Sequence, residues 1–245
     1  MTPSAAFSPC WACPENIMAL SSLRVGGVSH GCFNSFNLAL HVGDDSSHVD
    51  ENRRRLLAPY DIRSITWLEQ IHSNKVLNLD MPQNSLQADG SYTTQSGRAC
   101  VVMTADCLPV LMCDQAGQWV AAVHAGWRGL AQGILLNAIK SYTAADQLIA
   151  WLGPAISQSA FEVGEDVRQT FITSSSDFQP FFKAAGKHKW MADLYGIARY
   201  QLEANGVNVF TEDFCTYRQQ ELFFSYRRDG QTGRMASLIW LKDSV

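Results

Sequence analysis

Three apolar runs follow one another closely in this chain: Ala99–Thr104, Leu108–Cys113 and Trp119–His124. A strand with one wet face alternates apolar and polar residues, because successive side chains point to opposite sides. These runs do not alternate, so both faces of their strands are expected to be covered. Asp114-Gln-Ala-Gly-Gln supplies a turn between the last two, and the three together read as a meander. A sheet of this kind belongs inside a layered molecule, not at its surface.

The rest of the chain supplies the layers. Asp50–Leu57 reads as a helix, and Ser64–Leu68 and Lys75–Leu79 as strands. After His124 the period changes: Leu130, Ile134, Leu135, Ala138, Ile139 and Tyr142 make a helical stripe, introduced by Gly126-Trp127-Arg128-Gly129. Leu148–Leu152 reads as a strand ending at Gly153-Pro154, and Asp166–Ile172 as a short helix. Trp190–Ala204 is an amphipathic helix stopped by Asn205-Gly206. Val207–Phe210 and Met235–Leu241 close the chain as strands. Thr173–Asp177 is the best linker candidate, but it is too short to separate domains. Strands and helices alternate irregularly, so a mixed-sheet α/β fold is favoured over a doubly wound one, as a single domain across residues 1–245.

Composition excludes several function classes. With 47% hydrophobic and 17% charged residues the chain is globular. Its net charge is −4, and its longest basic block, Arg53-Arg54-Arg55, reads as a solvated helix face. Nucleic acid is therefore not an expected partner. The apolar stretches are strand-sized, and the first thirty residues lack the pattern of a secretory signal. Seven irregularly spaced cysteines fit a reducing cytoplasm better than a disulfide framework. Cys10-Trp-Ala-Cys13 has the spacing of a redox dithiol or zinc ribbon, but no strand pattern precedes it and no second pair exists. It is read as incidental. A monomer is favoured.

His72, Cys107 and His124 each end or interrupt an apolar, strand-like segment. A ligating side chain is costly to bury there unless something binds it. Two imidazoles and a thiolate form a normal zinc set with a fourth position open. Gln70 would share a face with His72 on extended backbone. Asp106 is the better candidate for proton transfer, since Glu69 would face away from His72. The Gly126–Gly129 turn with Arg128, joined by Arg227 or Arg228, suits an anion such as phosphate. A tight strand-to-helix connection would account for that turn equally well. Arg24-Val-Gly-Gly-Val-Ser-His-Gly31 matches no phosphate-loop pattern.

Long motifs then add to this reading. Arg24-Val-Gly-Gly-Val-Ser, Glu69-Gln-Ile-His-Ser, Thr104-Ala-Asp-Cys-Leu-Pro-Val-Leu, Val123-His-Ala-Gly-Trp-Arg-Gly and Trp151-Leu-Gly-Pro-Ala-Ile lie in order along the chain. Phe161-Glu-Val-Gly, Met191-Ala-Asp-Leu and Phe224-Ser-Tyr-Arg-Arg-Asp-Gly complete them. Together they resemble the bacterial YfiH family over essentially the whole chain. That family was first labelled a multicopper polyphenol oxidase (laccase). It is now described as a zinc-dependent purine nucleoside phosphorylase with adenosine deaminase activity, and has also been named a peptidoglycan editing factor. The resemblance implies an α/β/β/α layered fold, related to a toxin domain with a Cys–His thiol centre, and metal ligands at His72, Cys107 and His124.

Zinc agrees with the implied deamination, because it lowers the pKa of a water it binds to about 7. Phosphorolysis instead needs a positioned phosphate, for which Arg128, Arg227 and Arg228 are the candidate clamps. Copper is the alternative metal, in a polyphenol oxidoreductase. The six histidines include no His-x-His pair, so a trinuclear copper cluster is not expected. A single copper with Met103 or Met112 as weak axial ligand remains open. So does a thiol hydrolase acting on peptidoglycan precursors, with Cys107 as nucleophile and His124 as its base.

Overall fold

Two sheets packed face to face account for the unbroken apolar runs. The computed structural model describes residues 5–142 and 148–243. The chain begins with β1 (Ala6–Phe7), β2 (Ile17–Ser22), α1 (Ser46–Leu57), β3 (Ser64–Thr66), β4 (Val76–Asn78) and β5 (Gly90–Thr93). The long strands β6 (Arg98–Thr104), β7 (Leu108–Asp114) and β8 (Val120–Ala125) follow, then α2 (Trp127–Ala131), α3 (Ile134–Lys140) and β9 (Leu148–Leu152). Next come β10 (Glu162–Gly164), α4 (Glu165–Ser174), β11 (Phe182–Gly186), β12 (Lys189–Ala192) and α5 (Leu194–Glu203). The last elements are β13 (Asn208–Thr211), α6 (Tyr226–Asp229) and β14 (Met235–Leu241). One sheet has the order β1-β2-β14-β6-β3, a second β13-β9-β7-β8-β5-β4, and a small third β10-β12-β11.

Alternate residues of the same strands feed different cores. Cys100, Val102, Ile239 and Leu241 of the five-stranded sheet meet Leu111, Cys113, Val120 and Ala122 of the six-stranded one. Their neighbours Val101, Met103, Leu238 and Trp240 turn outward, onto Phe36 and onto Leu56 of α1. On the opposite side Val110, Met112, Ala121 and Val123 pack beneath Leu135 and Ile139 of α3 and Ile197 and Leu202 of α5. The layers therefore run α/β/β/α, the architecture that the family resemblance implies. No helix among the described residues is long and apolar enough to cross a membrane.

The structure corrects several expectations. The three apolar runs are not one meander: β6 pairs with β14 and β3, whereas β7 and β8 lie in the opposite sheet. The Ala105–Cys107 connection carries the chain across, with Asp106 at φ 92°. The helical stripe from Leu130 is broken at Gly133, whose φ of 79° ends α2 and starts α3. Trp190 belongs to β12, and the helix begins only at Leu194, where the Asp193 carboxylate accepts from the Gly196 amide at 2.9 Å. Thr173–Asp177 is no linker: it ends α4 and enters a 3-10 turn spanning Ser176–Phe181. Strands β2, β5, β10 and β11 had no clear periodic signal. A two-residue strand, β1, precedes Cys10, but β2 follows Cys13 where a redox motif would open a helix.

Candidate metal centre

The sheet crossing places the thiol. Cys107 immediately precedes β7, and β7 pairs antiparallel with β8 so that Leu108 opposes Ala125 and Pro109 opposes His124. His72 comes from the connection between β3 in one sheet and β4 in the other. One ligand atom from each of His72, Cys107 and His124 lies within 4.8 Å of the other two. The two imidazoles meet edge to face, with centroids 4.9 Å apart. His124 is buried, Cys107 half-buried and His72 exposed, so the cluster opens to one side. Among the described non-glycine residues only His72 (φ 58°), Asp106 (φ 92°) and His188 have positive φ. Two of the three flank this site, and unfavourable backbone persists mainly where the surroundings over-determine it. The positive φ at His72 also ends the extended path expected to align it with Gln70.

Asp89 holds the cluster together, and sequence reasoning missed it. It is wholly buried, where a lone carboxylate would cost several kcal/mol. Its oxygens accept from the amides of Ile71 (3.2 Å), His72 (3.0 Å) and Ser73 (2.5 Å), and from the Ser73 hydroxyl (2.8 Å). Oδ1 also accepts from His124 Nδ1 at 2.8 Å. With its proton on Nδ1, His124 keeps Nε2 free as a ligand or base. One carboxylate thus fixes the loop carrying His72 and the tautomer of His124. The only sequence signal was an acid between Ala88 and Gly90, ahead of a strand too short to recognise.

Without metal, the thiol and His124 are held as a charged pair, and the packing leaves the thiol room. Burial pushes the Cys107 thiol up, but His124 and His72 outweigh it and bring it to about 6. Burial pulls His124 down, while Cys107 and Asp89 outweigh it and lift it to about 9. Burial pushes Asp89 up, yet His124 and the Ser73 amide hold it below the usual carboxylate range. Gly126 gives the thiol its space: a Cβ there would sit 3.0 Å from Cys107 Sγ and 3.4 Å from His72 Cδ2. Two imidazoles, one of them anchored on a carboxylate, and a thiolate make a donor set that fits a borderline-soft divalent ion.

Two cavities share this cluster. A smaller one of about 240 Å³ is walled by Trp127, Phe161, Ile156 and Leu194, with Asp106 and Arg227 at its polar edge. A larger one of about 420 Å³ is lined by His41, Gln70, Met103, His124 and Arg234. His72, Cys107, Arg128 and Tyr226 border both. Arg128 stacks over Trp127 at 4.5 Å. The Asp106 carboxylate accepts from Thr216 Oγ1 at 2.6 Å and from the Arg227 amide at 2.7 Å. Gln70 is committed to the chain end of β6: it donates to the Met103 carbonyl (2.8 Å) and accepts from the Met103 amide (2.7 Å). Arg227 donates to the Glu162 carbonyl and lies over Phe161. Arg228 is not brought to the cluster. Its guanidinium donates to the carbonyls of Thr216, Tyr217 and Phe223 and borders a separate cavity with Arg24. Of the two methionines, Met103 lines the larger cavity and Met112 is sealed in the helix-side core. His41, Tyr226 and Arg234 were not among the expected site residues, because they lie on loops and a short helix without periodicity.

These features define a class: a layered α/β protein with an open two-histidine, one-cysteine centre at the crossing between its sheets. Over residues 18–242 the chain matches the family described as multi-copper polyphenol oxidoreductase laccase, and it belongs to that family, the YfiH family. It is 49% identical to "Purine nucleoside phosphorylase YfiH" of Shigella flexneri, covering 95% of this chain and 97% of that one. It is 48% identical, with the same coverage, to the protein of that name from Escherichia coli strain K12. The crystal structure of Neisseria meningitidis protein NMB0706 superposes with a TM-score of 0.93 at 45% identity, covering 98% of this chain and all of that one. The site does not assemble what "multi-copper" requires. Only two imidazoles and one thiolate converge among the described residues.

Proposed function

We propose that this protein is a zinc-dependent purine nucleoside phosphorylase that also deaminates adenosine. One observation carries the reading: His72, Cys107 and His124 converge on the wall shared by an aromatic cavity and a cation-lined one. A planar base, a sugar and an anion need such neighbouring compartments. Two relatives named "Purine nucleoside phosphorylase YfiH", at 48 and 49% identity over nearly the whole chain, support the phosphorylase part of this assignment.

His72, Cys107 and His124 would hold zinc, which when bound supplies the Lewis acidity that makes water nucleophilic near neutral pH. Asp89 keeps the proton on His124 Nδ1 and the His72 loop in place. Trp127, Phe161 and Tyr226 offer faces against which a purine can stack. Asp106, at the edge of that cavity, is positioned to carry a proton to or from the base. In deamination the oxygen of water bonds to C6 and the amino group leaves as ammonia. In phosphorolysis a phosphate oxygen bonds to C1′ as the N-glycosidic bond breaks, and the purine leaves with a proton. Arg128 borders the cation-lined cavity where that phosphate would lie, and Arg227 stands at the edge of the aromatic one. The substrates are small and soluble, as fits an enzyme of the cytoplasm.

Metal analysis of the purified protein, with adenosine turnover followed with and without phosphate, tests this reading. Inosine and ammonia should form without phosphate, and ribose 1-phosphate only with it. Cys107→Ala should lose zinc and both activities while the fold persists. Full zinc occupancy in that variant would overturn the ligand set.

A second reading has its own support. Cys107, lowered beside a His124 that is anchored on Asp89, has the arrangement of a thiol nucleophile with its base and orienting acid. A thiol hydrolase of amides in peptidoglycan precursors would need Cys107 and His124 but not His72. Retained amide hydrolysis in His72→Ala and in chelator-treated protein would favour it.

A further inference from the structure

The larger cavity is lined by cations that no carboxylate pairs with among the described residues. Arg234, half-buried just before β14, donates Nη1 to the carbonyls of Thr232 (2.8 Å) and Gly233 (3.0 Å). Its Nε and Nη2 have no protein acceptor among the described residues, and the side chain borders the cavity beneath Tyr226, 5.8 Å from that ring. Outside the cavity's own lining, Arg53 of α1 lies over Trp67 at 3.9 Å, with Nε spent on the Leu38 carbonyl. His41 shares their field: its imidazole is held below its usual value first by burial, then by Arg234 and Arg53. Arg128 closes the rim. Arg53, Arg128 and Arg234 form no ion pair among the described residues. The Cys107 thiolate first, and then Asp106, are near enough for their charge to reach Arg234, but neither makes an ion pair or hydrogen bond with its guanidinium among the described residues.

A guanidinium that gives up hydration without gaining a carboxylate is costly. Guanidinium N–H groups left free around a cavity match the oxygens of a tetrahedral anion. The glycine turn after His124 is the weaker candidate, because α2 spans only Trp127–Ala131 and its dipole is correspondingly small. We propose that the 420 Å³ cavity is a phosphate site in which Arg234 is the principal clamp, with His41 and Arg128 as flanking donors. The identity of the anion as orthophosphate rests on the phosphorylase reading; the site itself does not. A phosphate dianion could also arrive as the 5′-phosphate of a nucleotide, so both forms must be compared.

Calorimetric titration of the zinc-loaded protein with orthophosphate, and separately with adenosine 5′-monophosphate, tests the site directly. Steady-state kinetics run in parallel. Arg234→Gln should weaken orthophosphate binding about tenfold or more, as loss of a charge-assisted pair does, and Arg234→Lys should recover part of it. The Michaelis constant for phosphate should rise by a similar factor, well beyond any change in that for adenosine during deamination. His41→Gln should act in the same direction more weakly, and with Arg234→Lys it carries the test if Arg234→Gln does not fold. Unchanged orthophosphate affinity in folded Arg234→Gln overturns the site, and if nucleosides are still cleaved the phosphorylase reading survives. Orthophosphate binding that depends on Arg234, in a protein that cleaves no nucleoside, overturns that reading and keeps the site. Binding of the nucleotide but not of orthophosphate overturns the identity of the anion.

Discussion

Asp89 accepts the Nδ1 proton of His124 at 2.8 Å with the same oxygen that accepts the His72 amide at 3.0 Å. A single carboxylate therefore sets both histidines of the cluster, although the two come from elements that the sequence keeps far apart. Asp89→Asn preserves shape but offers only one good acceptor. It should reduce zinc affinity by about 10- to 100-fold, the usual cost of losing an outer partner of a ligating histidine. Competition with a chromophoric chelator measures the effect, and a thermal melt separates it from unfolding. Unaltered affinity in a folded variant would show that Asp89 only fills space.

The three clustered side chains, His72, Cys107 and His124, were legible because histidine and cysteine are conspicuous in apolar strands. Asp89 was not, since a lone acid beside a glycine reads as a turn until its five donors are seen in space. The layered fold was legible from the unbroken runs at Ala99–Thr104 and Leu108–Cys113, because only strands covered on both faces can be apolar throughout. Their assignment to one meander failed for a physical reason: three residues suffice to hairpin or to cross between sheets, and the left-handed backbone at Asp106 decides which. Arg234 and Tyr226 stayed hidden, since a loop and a four-residue helix carry no period to read.

Gly126 predicts a second variant effect. Its backbone, at φ −67° and ψ 163°, is open to any L-residue, so alanine is not strained there by conformation. The added Cβ, however, would stand 3.0 Å from Cys107 Sγ. Gly126→Ala should displace the thiol and weaken zinc binding while costing only about 1–3 kcal/mol of stability, the range for one extra methyl in packed surroundings. Zinc titration and chemical denaturation read the two separately. Full metal affinity would mean that the Cys107 loop yields without consequence.

Without metal, the thiol and His124 should respond oppositely to pH. The thiol sits at about 6 instead of 9.0, so the stability it contributes is complete above 9.0 and is lost as pH falls through about 6. His124 sits at about 9 instead of 6.5, so its contribution is complete below 6.5 and is lost as pH rises through about 9. Chelated wild-type protein should therefore gain most over Cys107→Ala between roughly pH 6 and 9. Alkylation at Cys107, resolved by peptide mapping from the exposed Cys10 and Cys32, should accelerate with a midpoint near 6. A midpoint near 9 would mean that the imidazoles do not hold the thiolate.

His124→Ala is the most demanding test of the proposed chemistry. This residue pairs with Asp89, faces Cys107 and lines the larger cavity, so its loss opens the ligand set and frees a buried carboxylate together. The cost in stability should be about 3–5 kcal/mol, as when one partner of a buried charged pair is removed. Deamination and phosphorolysis should vanish together, and adding zinc should not restore either. His72→Ala separates the readings further, since His72 is exposed and removes a ligand without stranding a buried charge. Under the zinc reading it abolishes deamination at ordinary zinc concentrations and regains part of it in excess metal. If His72→Ala is indifferent to zinc and still turns over an amide that iodoacetamide at Cys107 blocks, the thiol mechanism replaces the metal one.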